Sequence, residues 1–211
     1  MLKNQFKDQT EFDIYLAEQK VRQENGYLTK SEREILKKMQ EKDYKPILIK
    51  EEKPKLPIVT NINELRKPCL PVEKGEDVKQ IIIELKETLN KFSSKALGLS
   101  ANQIGYNKSV CYIRVPYFDQ KNKKIEIKEL LLINPKIVEK ETKIINKNEG
   151  CLSLPGIRVD TERYVYITLY YVDENFKEHT LLAQDLESLV IQHEYDHLAG
   201  ITLFERKHKS K

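Results

Sequence analysis

The chain predicts an α+β fold, antiparallel sheets packed around a central helix, with a polar helical extension at the N-terminus. Three observations carry this. Several runs of Val, Ile and Tyr alternate with polar residues at period two, as half-buried strands do. Two long segments instead place apolar residues at helical spacing. Strands and helices do not alternate along the chain, so the βαβ crossovers of a parallel sheet are missing.

Residues 1–50 are very polar. Phe12, Ile14, Tyr15 and Leu16 open a first helix that Gly26 ends. Ser31 and Glu34 form a capping box for a second, running to Asp43 with Ile35, Leu36 and Met39 as a thin apolar stripe. The Lys/Glu/Pro-rich stretch 50–57 reads as a linker, which divides the chain into an extension, 1–55, and a core domain, 56–211. Within the core domain, 76–92 carries Val78, Ile81, Ile82, Leu85, Leu89 and Phe92 on one helical face. Strands are expected at 109–115, 129–134, 136–145 and 158–172, the last with Val165, Ile167 and Leu169 on one face. A final helix spans 185–199, with Gly200 placed to terminate it.

With 211 residues and 39% hydrophobic content the chain can build one ordinary core plus an appendage. Net charge is +4 with both signs mixed along the sequence, which indicates a solvated surface; an RNA-rich partner is compatible with it, and nothing points to DNA. Cys69, Cys111 and Cys151 are too few and too odd a set for a disulfide framework, so a reducing compartment is expected. Asp8, Glu11 and Asp13 stand where a transit peptide avoids acids, and no apolar run approaches the ~20 residues of a membrane span. A soluble, cytoplasmic protein is the expectation.

The final helix carries His193-Glu194-Tyr195-Asp196-His197, an HExxH motif. Histidines four apart share a helix face and can hold one metal ion, with the intervening glutamate near enough to move protons. The bland alternative is a solvated surface pair. Leu189, Val190 and Ile191 lead directly into His193, so the helix reads as buried, and buried imidazoles need polar partners. A third ligand then decides the chemistry. The sequence follows HExxHxxGxxH through Gly200, but Leu203 stands at the last histidine. Only fourteen residues follow His197, with Glu205 and His208 in a short basic tail, so the ligand must lie upstream. Cys151, in the turn-rich Glu149-Gly150-Cys151-Leu152-Ser153-Leu154-Pro155-Gly156, is the best candidate; Cys69 and Cys111 look structural. A lone cysteine is often just a small buried apolar residue. One thiolate with two imidazoles, however, leaves the open fourth position a catalytic ion requires.

Three segments together resemble peptide deformylases, whose motifs are written GxGLAAxQ, EGCLS and HExDH. Here they read Ala96-Leu97-Gly98-Leu99-Ser100-Ala101-Asn102-Gln103, then Glu149-Gly150-Cys151-Leu152-Ser153, then His193-Glu194-Tyr195-Asp196-His197, with Gln192 before the last and Leu198-Ala199-Gly200 after it. The resemblance spans roughly residues 57–205. Ala96 replaces a usual glycine, Ser100 a common alanine, and Asn102 stands at a variable place; the long C-terminal helix of some members is missing.

The resemblance implies removal of the formyl group from formyl-methionine at the start of new polypeptides. Cys151, His193 and His197 would bind one divalent metal, with water as fourth ligand. Fe(II) is implied in the cell, with Zn, Ni or Co acceptable in the purified protein. Glu194 would be the general base and acid, and Gln103 and the Leu152 N–H would stabilise the oxyanion. Leu97, Leu186, Leu189 and Val190 would line a methionine pocket, with Leu152 beside them and Gly98 admitting the peptide backbone; a charge pair Glu149–Arg158 would brace the cysteine loop. Nascent formylated peptides and a transient ribosome contact are the expected partners of a monomer. A peptidase of internal bonds and a purely structural metal site are the rivals. Leu203 speaks against the first, and Glu194 with Gln103 against the second, since a structural site needs neither.

Overall fold

The computed structural model describes residues 58–92 and 96–209. The two expected N-terminal helices and most of the linker lie outside the described residues. A short helix α1 (Ile62–Leu65) leads to α2 (Lys79–Lys91), then β1 (Gly98–Ser100) and a 3-10 turn at Ala101–Ile104. Strands β2 (Val110–Asp119), β3 (Lys124–Gly150), β4 (Arg158–Val172) and β5 (Glu178–Gln184) follow, then α3 (Asp185–Leu198) and the single-turn α4 (Leu203–Arg206). The strands form one antiparallel sheet in chain order, β1-β2-β3-β4-β5.

Strand β2 explains why the sheet carries a helix on each face. Its alternate residues Val110 and Tyr112 pack with Ile81, Ile82, Leu85 and Leu89 of α2. Cys111, Ile113 and Val115 turn the other way, into a second core with Ile191 and Leu198 of α3. A strand covered on both sides reads as a continuous apolar run, as residues 110–113 do. Cys111 is accordingly sealed in this core and Cys69 packs beside it, where burial pushes the Cys69 thiol up to about 11. Both are structural, as expected.

The strands expected at 129–134 and 136–145 are one strand, β3. The break lies in the register, not the chain: it shifts between Ile133 and Lys136. Asn134 takes a left-handed φ of 49° there, and its amide bridges Val72 N and O at 2.9 and 2.8 Å. Pro135 offers no N–H to the ladder, so a bulge accommodates it without ending the strand. Strand β5 was not expected. Adjacent Leu181 and Leu182 spoil its alternation, and on this edge strand Leu182 is simply exposed.

Helix α3 has the expected extent, and Gly200 follows it with a φ of 71°. The tail folds back: Lys207 bridges Thr161, and His208 N donates to Asp160 O at 2.6 Å.

Candidate metal centre

The Cys151 loop joins β3 to β4, and α3 lies across the sheet behind it, so strand ends and helix meet at one point. The ligand atoms of Cys151, His193 and His197 all lie within 4.8 Å of one another. Cys151 Sγ is 3.2 Å from His197 Nε2, and the two imidazoles stand edge-on at 5.0 Å between centroids. His193 Nδ1 is 2.6 Å from Glu149 Oε1, which fixes the ring and leaves Nε2 for the centre. The donor set suits a borderline-soft divalent ion, and three protein donors leave room for a water. Neither Glu205 nor His208 joins them. Glu205 pairs with Arg66 at 2.6 Å, and His208 faces Glu162 at 3.4 Å.

Burial alone would push His193 down, but Cys151 and Glu149 beside it raise it well above the ordinary histidine range. Burial and the neighbouring His193 push His197 the opposite way. Nδ1 of His197 is buried with no partner among the described groups. Glu194 is 3% exposed, and burial raises its carboxyl. Gln103, 2% exposed, accepts from Ser100 N at 2.9 Å through Oε1. Its Nε2 is thereby turned toward Ser153 Oγ, 3.1 Å away, and Cys151 Sγ, 3.6 Å away.

A cavity of about 650 Å³ opens onto this centre. Leu97, Gly98, Leu152, Leu186, Leu189 and Val190 all line it, together with Gln103, His193 and Glu194. The three helix residues are those three, four and seven positions before His193, as helical geometry requires. Gly98 has a further reason to be glycine: a Cβ there would stand 2.6 Å from Glu194 Oε1.

The expected Glu149–Arg158 pair does not form. Glu149 is bound instead by Arg163, with Nη2 at 2.6 Å and Nε at 3.0 Å. Arg158 lies directly opposite Gly150 in the ladder, exposed, with its guanidinium covering the space a Gly150 Cβ would need. The reason is strand geometry. Side chains of β4 alternate, and the buried face takes 161, 163, 165, 167 and 169 while Arg158, at an even position, falls on the opposite face. Arg163 escapes sequence reasoning because it lies outside the three motifs; its one signal is that it shares the parity of Val165, Ile167 and Leu169 on β4.

Arg163 is 2% exposed and also reaches Asp196 Oδ2 through Nη1 at 2.5 Å. Asp196 in turn accepts from Arg206 at 2.6 and 2.9 Å. A row of alternating charges thus runs from the folded-back tail to the imidazole: Arg206, Asp196, Arg163, Glu149, His193. Burial alone would raise Glu149, but Arg163 and His193 hold it well below the carboxylate range.

Paired imidazoles on a buried helix, an upstream thiolate and a carboxylate between them define a metal-dependent hydrolase of the HExxH class. The polypeptide deformylase family matches residues 56–211. Peptide deformylase 1 of Nostoc is 37% identical over 143 residues, covering 67% of this chain and 73% of that one. The Brachyspira hyodysenteriae peptide deformylase is 37% identical over 150 residues, 71% of this chain and 78% of that one. The crystal structure of a Synechococcus elongatus peptide deformylase in complex with actinonin superposes with a TM-score of 0.62 at 32% identity, covering 79% and 87% of the two chains. The chain belongs to the peptide deformylase family, metal-dependent hydrolases that remove the N-formyl group from nascent peptides.

Proposed function

We propose that the residues converging on the cavity divide the deformylation of N-formylmethionyl peptides among them. Cys151, His193 and His197 hold one divalent ion, which supplies Lewis acidity to acidify a water and draw charge from the formyl oxygen. Glu194 takes the proton of the attacking water and returns it to the leaving amine. Gln103 Nε2 and the Leu152 N–H donate to the oxygen that becomes negative, each such donor contributing about 2.7–4 kcal/mol. Leu97, Leu152, Leu186, Leu189 and Val190 receive the methionine side chain, and the peptide backbone runs past Gly98 as a strand added to β1, which is a sheet edge. Glu149, braced by Arg163, orients His193.

The observation that carries this reading is the place of the Gln103 amide and the Glu194 carboxylate. Both are buried, both face the cavity, and they flank the three metal donors. A structural site has no use for either. Fe(II) is the ion proposed in the cell, with Zn, Ni or Co in protein handled in air, because a ferrous thiolate centre oxidises. Residues 1–55 are proposed as an appendage to a catalytic domain at 56–211, in keeping with the family match beginning at residue 56. The enzyme is proposed to act as a cytoplasmic monomer that meets the ribosome transiently. No described helix is long and apolar enough to cross a membrane.

The test is formate release from formyl-Met-Ala-Ser by anaerobically purified protein, with metal content measured on the same sample. Glu194→Ala and Cys151→Ser should each abolish release, the second with loss of metal. Wild-type rates in either variant would overturn the assignment.

A further inference from the structure

Ser100 ends β1 and is fully buried, so its hydroxyl must find its partner inside the protein. Two acceptors are in reach, both on the same residue of α3. Glu194 Oε2 lies 2.5 Å from Ser100 Oγ and the Glu194 carbonyl oxygen lies 3.2 Å away. A hydroxyl has one proton, and the nearer, charged acceptor takes it. Among the described residues no other side chain donates to that carboxylate. Its second oxygen, Oε1, lies against the bare backbone of Gly98 at the cavity wall. The carboxylate is therefore held at Oε2 and given space at Oε1. The backbone N–H of the same serine holds Gln103 Oε1 at 2.9 Å, so one residue touches both groups that flank the metal donors. The alanine common at this place in the motif has no hydroxyl to offer.

We propose that the Ser100 hydroxyl is a positioning residue for hydrolysis: it occupies Glu194 Oε2 and so presents Oε1 to the reacting water. The proposal rests on Glu194 acting as the base. A purely architectural serine, tying β1 to α3 through the carbonyl contact, would affect folding and metal loading but not turnover alone.

The two are separated with the full-length, metal-loaded enzyme and formyl-Met-Ala-Ser. Ser100→Ala should lower kcat about tenfold, the worth of one hydrogen bond to a charged group. KM and metal content should stay at wild-type values. In a Glu194→Asp background, where the shortened carboxylate withdraws from the serine, Ser100→Ala should cost nothing further. Three results would overturn the proposal: wild-type kcat in Ser100→Ala, an equal loss on both backgrounds, or a loss that tracks metal content. Full activity in Glu194→Ala would instead remove the base assignment itself, a separate failure.

Discussion

Arg163 sits between two buried carboxylates, Glu149 at 2.6 Å and Asp196 at 2.5 Å; Asp196 also has Arg206, so loss of Arg163 strands Glu149, which has no other arginine or lysine partner among the described residues. Breaking a buried pair from one side typically costs about 3–5 kcal/mol. Arg163→Met is therefore expected to lose stability of that order in urea unfolding of the metal-free protein. Because Glu149 orients His193, metal affinity measured by chelator competition should also weaken, by roughly 10–100-fold. Arg158→Ala is the control. Its exposed guanidinium should be worth no more than about 0.5 kcal/mol to folding. Equal stability losses in the two variants would contradict the observed pairing. At this scale the sequence singled out Cys151, His193, His197 and Glu194 as candidates because their spacing is local or their motif specific. It did not reveal which arginine faces Glu149, since that depends on which side of a strand each residue takes.

Among elements, the end of α3 is held most tightly. Gly200 has a φ of 71°, and a Cβ there would approach Arg66 O to 2.5 Å. Left-handed backbone alone costs an L-residue roughly 1–2 kcal/mol, so Gly200→Ala should lose at least that much in denaturant unfolding. A neutral result would mean the segment at Arg66 can move aside. The next turn, α4, begins with Thr202 and Glu205 capping each other. Burial would raise Glu205, but the Thr202 hydroxyl and N–H, with Arg66, pull it down to about 2. A depressed carboxylate stabilises above its unfolded pKa, near 4.3, and loses that contribution as pH falls toward about 2. Glu205→Gln should thus melt below wild type at neutral pH, and the gap should close between about pH 4 and pH 2. A gap that is constant across that range would remove the ionic explanation. Helices α2 and α3 were readable from periodicity alone. Strand β5 was not, because an edge strand tolerates the exposed Leu182 that blurs its pattern.

For the molecule as a whole, a metal held by Cys151, His193 and His197 would favour the folded state, because folding is what brings the three donors together. Free metal at about 100 times its Kd adds roughly 2.7 kcal/mol, so chelation should lower the melting temperature and abolish formate release together, and Fe(II) or Co(II) should restore both. Lost activity with an unmoved melting temperature would place the ion outside the folded centre. The basic tail is committed to the fold through residues 206–208. Arg206 binds Asp196, and Lys207 and His208 lie along β4. Arg206, near the end of the described residues, thus braces the HExxH helix through Asp196.

The sequence by itself determined the α+β class and the two core helices, and it singled out Cys151, His193, His197, Glu194 and Gln103, which the fold brings to one cavity or to its edge. Helical spacing is a property of the local backbone, and the three motifs are specific as a set. Only the tertiary structure decided what stands around them. It put Arg163 rather than Arg158 against Glu149, ran β3 through its bulge at Asn134, folded the tail onto β4 and brought the Ser100 hydroxyl onto Glu194. These contacts join residues 14 to 94 positions apart, and sheet register and side-chain facing, not local propensity, bring such residues together.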